Sequence, residues 1–184
     1  GANGDRTYLI LFTNPAESRF LGGFTGSFGI LTAHAGKVSF TVGDRISELF
    51  PGPKGSTLKI TGEAQYLTRY ARYGPAQHGQ NLTVSPDMPT DATVVRSLYH
   101  QYYGTWVDGV VVVDPYALAA LLKLTGPVSG TGLPYPLTSQ NAAHYLVYQQ
   151  YVDYGSDKDD RKDVLSQAGK ATFKALTSRH LPGP

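Results

Sequence analysis

The run Tyr8-Leu9-Ile10-Leu11-Phe12 has no polar face. A stretch of strand length that is apolar throughout reads as a buried central strand, not as the half-exposed strand of a one-sided sheet. Asn14-Pro15 ends it. A second run of the same kind, Val107-Asp108-Gly109-Val110-Val111-Val112-Val113, is β-branched on both faces and predicts a strand with helices over each side. Asp114-Pro115 follows directly, an N-cap and a first helical residue.

The remaining elements fall between and after these two. Residues 24–31 read as a second strand. Ala35-Gly36-Lys37 makes a turn, and Val38, Phe40 and Val42 alternate with polar residues as a third strand. Asp44 is expected to cap a short helix that Pro51 stops. A helix is expected over 63–73, then a long irregular stretch over 74–89 punctuated by Asn81, Ser85-Pro86-Asp87 and Pro89. Asp91 is read as the cap of a helix carrying Val94, Val95, Leu98, Tyr99 and Tyr102, closed by Gly104. Leu118, Leu121 and Leu122 mark the helix after Pro115, and Thr138 caps another. Residues 157–163 read as a charged connector before a last helix with Val164, Ala168, Phe173 and Leu176. This order of strands and helices predicts one α/β domain over residues 1–184, a mixed central sheet covered by helices on both faces.

Composition narrows the function. Charged residues make up 16% of the chain, well below the usual quarter, while tyrosine alone supplies 13 of the 184 residues. A Tyr-rich, charge-poor surface suits carbohydrate and other neutral polar ligands, because the ring is apolar and the hydroxyl hydrogen-bonds. The net charge is +2 and no block of Lys or Arg occurs, so the footprint of a nucleic-acid partner is absent. No cysteine is present, which excludes disulfides and thiolate sites. No apolar run approaches the length of a membrane span, so a membrane anchor is expected only outside these residues.

No P-loop, dinucleotide fingerprint, His-Glu-x-x-His or Gly-x-Ser-x-Gly pattern occurs. The strongest local candidate is the segment after the first strand, Asn14-Pro15-Ala16-Glu17-Ser18-Arg19-Phe20-Leu21-Gly22-Gly23-Phe24. Ligands of open α/β sheets gather outside strand ends. Asn14 can donate or accept there, Glu17 can serve as base or metal ligand, and Arg19 can grip an anion bidentately. Gly22 and Gly23 allow close backbone approach. The same residues also fit a solvated loop with an Arg19–Glu17 pair. Two further candidates are the segment from Asn81 to Asp87, and Arg161 at the start of the last helix, where a cation adds to the positive end of the helix.

The segment from Arg6 to Phe24 resembles the opening of the domain-of-unknown-function family 4012. Ser85-Pro86-Asp87 with Pro89, and Val107-Asp108-Gly109-Val110 through Asp114-Pro115 to Gly126-Pro127-Val128, match further motifs in order. The layout is similar to that of the LytR-CpsA-Psr family of envelope proteins. That resemblance implies an extracytoplasmic, envelope-located domain that takes a polyprenyl-diphosphate-linked glycan or a wall polysaccharide as partner. It also implies Mg²⁺ as cofactor. On that scheme Arg19 and Arg161 clamp the diphosphate, Glu17 and Asp87 hold Mg²⁺ or activate the acceptor hydroxyl, and Asn14, Gly22, Gly23, Arg45 and Asn81 bind substrate. Asp44-Arg45 departs from the Pro-Arg-Asp order of that family, and Arg161 stands alone where the family has a pair.

Three functions fit these residues. The first is transfer of a glycopolymer from its lipid diphosphate to the cell wall. The second is a non-catalytic module binding wall glycan or lipid carrier. The third is a glycoside hydrolase, which needs two carboxyls flanking one groove.

Overall fold

The computed structural model describes residues 4–35, 37–130, 132–155 and 158–178. Gly36 of the expected turn and Asp157 of the expected connector lie outside them. The elements in chain order are β1 (Arg6–Asn14), β2 (Phe24–His34), β3 (Lys37–Arg45), α1 (Gly52–Ser56), α2 (Ala64–Tyr70), α3 (Met88–Tyr103) and β4 (Gly109–Val113). They are followed by α4 (Pro115–Thr125), α5 (Ala142–His144), a π-helical turn (Tyr145–Gln149), α6 (Gln150–Tyr154) and α7 (Lys158–Ser178).

The strands form one four-stranded sheet in the order β3-β2-β1-β4. β1 runs antiparallel to β2, which runs antiparallel to β3, whereas β4 lies parallel to β1 with Tyr8 opposite Gly109. The sheet is thus mixed. Asp108 fixes the parallel pairing at its start. Its carboxylate accepts from the Thr7 amide at 2.7 Å, and its own amide donates to the Thr7 carbonyl at 2.7 Å.

β1 explains why both faces are covered. Successive side chains of a strand point to opposite sides. Ile10 and Phe12 enter one core with Leu118 and Leu122 of α4, Tyr145 and Leu146, and Leu165 and Phe173 of α7. Leu9 and Leu11 enter the other with Leu49, Leu58, Tyr66 and α3 residues Val94, Val95 and Leu98. The fold is the α/β arrangement expected, with helices on both faces.

Four local readings differ. β4 is an edge strand of this sheet, so Val111 remains 41% exposed instead of being covered on both sides. Asp44 caps no helix. Its carboxylate accepts from the next amide, that of Arg45, while β3 runs on to Arg45 and only a 3-10 turn at Ile46–Glu48 follows. The cap of α3 is Asp87, not Asp91, since Asp87 accepts from the Thr90 amide at 3.0 Å. α7 begins at Lys158, so the charged stretch is the first part of that helix.

Candidate functional site

The loop 15–23 leaves the C-terminal end of β1 and folds back on it. Leu21, Gly22 and Gly23 all have left-handed φ, at 47°, 86° and 94°. A Cβ on Gly23 would sit 2.1 Å from the Asn14 carbonyl oxygen, and one on Gly22 would sit 2.7 Å from Thr13 Oγ1. The glycine pair therefore permits approach of the loop to its own strand. A buried hydroxyl pair closes the far side. Thr83 Oγ1 donates to the Gly23 carbonyl at 3.0 Å, which leaves Thr25 Oγ1 as the donor in its 3.2 Å contact with Thr83.

Asn14 is the hinge of the site. Its side-chain amide donates to the Leu146 carbonyl at 2.8 Å, and its oxygen accepts from the Ala16 amide at 3.0 Å. Leu146 belongs to the π-helical turn, a distortion of helices often found at functional sites. Its carbonyl also accepts from the Gln150 side chain, which is buried and whose Oε1 has no partner among the described residues.

These contacts shape a cleft of about 440 Å³ at the end of β1. Asn14, Glu17, Arg45, Gln80, Gln150 and Tyr151 supply its polar lining. Phe24, Ile46 and Leu165 give it an apolar wall. Three of the residues singled out in the sequence, Asn14, Glu17 and Arg45, thus share one cavity although 31 positions separate the first from the last (45 − 14). Arg161 lies one helical turn before Leu165 on α7; its side chain lies outside what is described.

A second groove, of about 530 Å³, is lined in part by the residues that follow Glu17 and Gln80 in the chain. Arg19 and Asn81 are found there. Arg19 Nε donates to Asn81 Oδ1 at 2.9 Å, and Asn81 Nδ2 donates to the Tyr73 carbonyl at 2.8 Å. Arg19 therefore pairs with Asn81 and not with Glu17.

Asp87 is elsewhere. Both the amide and the hydroxyl of Thr90 donate to its carboxylate as it caps α3, and it lines shallow hollows with Glu63 and Thr90. Ser85-Pro86-Asp87 and Val107-Asp108-Gly109 accordingly act in the scaffold, one starting α3 and the other joining β4 to β1. Glu17 lines the cleft and Asp87 the hollows at the start of α3, and among the described residues no three acidic or histidine side chains cluster. Glu17 and Asp87 thus do not come together as a pair of ligands for Mg²⁺.

Below the Ser85 turn lies a buried acid. Asp91 is 1% exposed, and desolvation pushes its carboxyl up to about 7 despite hydrogen bonds from Ser85, with Asp87 adding to the rise. The neighbouring Tyr66 hydroxyl is also pushed upward, first by burial and then by Asp91. The sequence offered no signal for Gln80, Gln150 or Tyr151. They are neutral residues brought to the cleft by segments far from β1.

A family model described as "Protein of unknown function (DUF4012)" matches residues 3–151. No curated protein matches the chain. One similar solved structure is described as the transcriptional regulator yvhJ from Bacillus subtilis. The overlap covers 94% of this chain and 63% of that one, at TM-score 0.44 and 12% identity. The chain thus spans less than two-thirds of that structure's length, and so distant a likeness carries no argument about function.

Proposed function

This chain belongs to the DUF4012 family, and from that premise we propose that it is an extracytoplasmic cell-envelope domain that transfers a glycopolymer from a polyprenyl diphosphate to the cell wall. The observation carrying this reading is the meeting of Asn14, Glu17 and Arg45 in one cleft at the C-terminal end of the central strand. That is where α/β sheets place ligands. Arg45 supplies the fork of donors that fits phosphate oxygens, and the amides of Gln80 and Gln150 add neutral polar contacts. The wall formed by Phe24, Ile46 and Leu165 suits the first units of a lipid chain.

In the transfer step an acceptor hydroxyl of the wall attacks the phosphorus that bears the glycan. A new P–O bond forms, the bond to the lipid-bearing phosphate breaks, and polyprenyl phosphate leaves. On this reading Glu17, which lines the cleft, takes the hydroxyl proton, and Arg45 offsets charge gathering on the leaving phosphate. The test is binding of a polyprenyl diphosphate to wild type and Arg45→Ala. Loss of about tenfold or more in affinity is expected; equal affinity would refute the assignment.

One observation favours the second reading, a non-catalytic carrier-binding module. Asp87 is engaged at the start of α3, so Glu17 is the single carboxylate lining the cleft among the described residues. The same fact leaves the paired-carboxylate scheme of a glycoside hydrolase without its second member. Glu17→Gln separates the readings. Under transfer chemistry it abolishes product while retaining the carrier; a wild type that binds carrier yet yields no product with wall acceptor supports the binding module.

A further inference from the structure

The second groove has a composition the diphosphate reading does not use. Arg19, Phe20, Tyr70, Tyr73 and Asn81 line it, with Val84 beneath. Phe20 and Tyr73 are large aromatic side chains left 53% and 42% exposed. Their backbone segments and the Tyr73 hydroxyl are anchored. Asn81 fastens the Tyr73 backbone, Arg72 donates to the Tyr73 hydroxyl at 2.9 Å, and the left-handed turn at Leu21-Gly22-Gly23 fixes the chain just after Phe20. Arg19 uses Nε toward Asn81 and Nη1 toward the Ser18 carbonyl at 2.6 Å. Its Nη2 donates to no described residue, and the side chain lines the groove.

The groove and the cleft draw on neighbouring residues of the same two loops. Two loops each give one residue to the cleft and the next to the groove, Glu17 then Ser18 and Arg19 on one, Gln80 then Asn81 on the other. The Arg19–Asn81 hydrogen bond ties those two loops together.

We infer that the groove is a pyranose subsite, which takes a sugar unit of the glycan whose diphosphate occupies the cleft. A pyranose has an apolar C–H face and a rim of hydroxyls. The exposed rings offer the surface for the face, and the Arg19 fork with Asn81 offers donors for adjacent hydroxyls. A composition poor in charge and rich in tyrosine fits the same ligand class. The inference rests on the glycan-carrier reading for its substrate, but on separate residues.

The test is nuclear magnetic resonance of the ¹⁵N-labelled chain. The probes are methyl glucoside, methyl galactoside, N-acetylglucosamine and N-acetylmannosamine, with inorganic pyrophosphate in a separate arm. Saturable shifts of the Arg19 Nε and Asn81 side-chain signals with at least one sugar are expected. Phe20→Ala and Tyr73→Ala, both at exposed positions, are each expected to weaken that sugar about tenfold. Arg19→Lys keeps the charge but lacks the fork, and is expected to weaken it as well. The subsite is overturned if no sugar moves these signals, if the aromatic variants bind unchanged with an intact spectrum, or if pyrophosphate rather than sugar moves the Arg19 signal. Sugar binding with a cleft indifferent to pyrophosphate leaves the subsite standing and removes the diphosphate reading instead.

Discussion

Asp91 carries the clearest electrostatic consequence of any single residue here. Its carboxyl is raised from 3.8 to about 7, chiefly by desolvation. Over that window the folded protein keeps a proton that the unfolded chain has lost. Stability is therefore fullest below pH 3.8 with respect to this group, falls as pH rises through the window, and levels off above about 7. One proton gives a slope of about 1.4 kcal/mol per pH unit at most. Asp91→Asn is expected to flatten that slope, read from urea midpoints across the window; an unchanged slope places the titration elsewhere. The sequence marked Asp91 as a helix cap because acids at that position so often are. Only burial under the Ser85 turn distinguishes it from Asp87, and burial of one carboxyl is a property of the packed chain.

The elements were legible wherever one strong local preference acted alone. The unbroken apolar run of β1 announced a strand with two covered faces, and Asp114-Pro115 announced the start of α4, where the Asp114 carboxylate accepts from the Ala117 amide at 2.7 Å. They were illegible where pairing decided. β3 runs through Asp44 because Arg45 still pairs with Ser27 across a bulge. β4 looks like a central strand by composition, but nothing in a sequence says which strand has no outer neighbour. Helix α7 shows a close contact that packing alone imposes. A Cβ on Gly169 would meet the Phe12 ring at 2.7 Å, and that ring is already held edge-on against Phe173 at 5.6 Å. Alanine improves helix propensity by about 1 kcal/mol. The clash with a fixed buried ring is the larger effect, so Gly169→Ala is expected to destabilise by about 1–3 kcal/mol in equilibrium unfolding. A stabilised variant would show that α7 moves off β1 at little cost.

At the scale of the whole molecule, the cleft exists only in the folded chain. Asn14 and Glu17 come from the end of β1, Arg45 from the end of β3, Gln80 from the connection before α3, Gln150 from the start of α6 and Leu165 from α7. The first of these was visible in sequence because an Asn-Pro with Glu and Arg followed an apolar strand. The last three were not, since a glutamine or leucine far along the chain carries no mark of the strand end it will reach. A site assembled from such distant pieces binds the folded state and has no counterpart in the unfolded one, so ligand and stability are linked. At a hundredfold excess over its dissociation constant, a ligand of the cleft adds about 2.7 kcal/mol. For a chain of this length that corresponds to a rise in Tm of about 5–10 °C. Inorganic pyrophosphate is the simplest probe. The wild type is expected to show a concentration-dependent rise that Arg45→Ala lacks. A rise of equal size in both proteins would place the anion outside the cleft, and with it the chemistry proposed for Glu17 and Arg45.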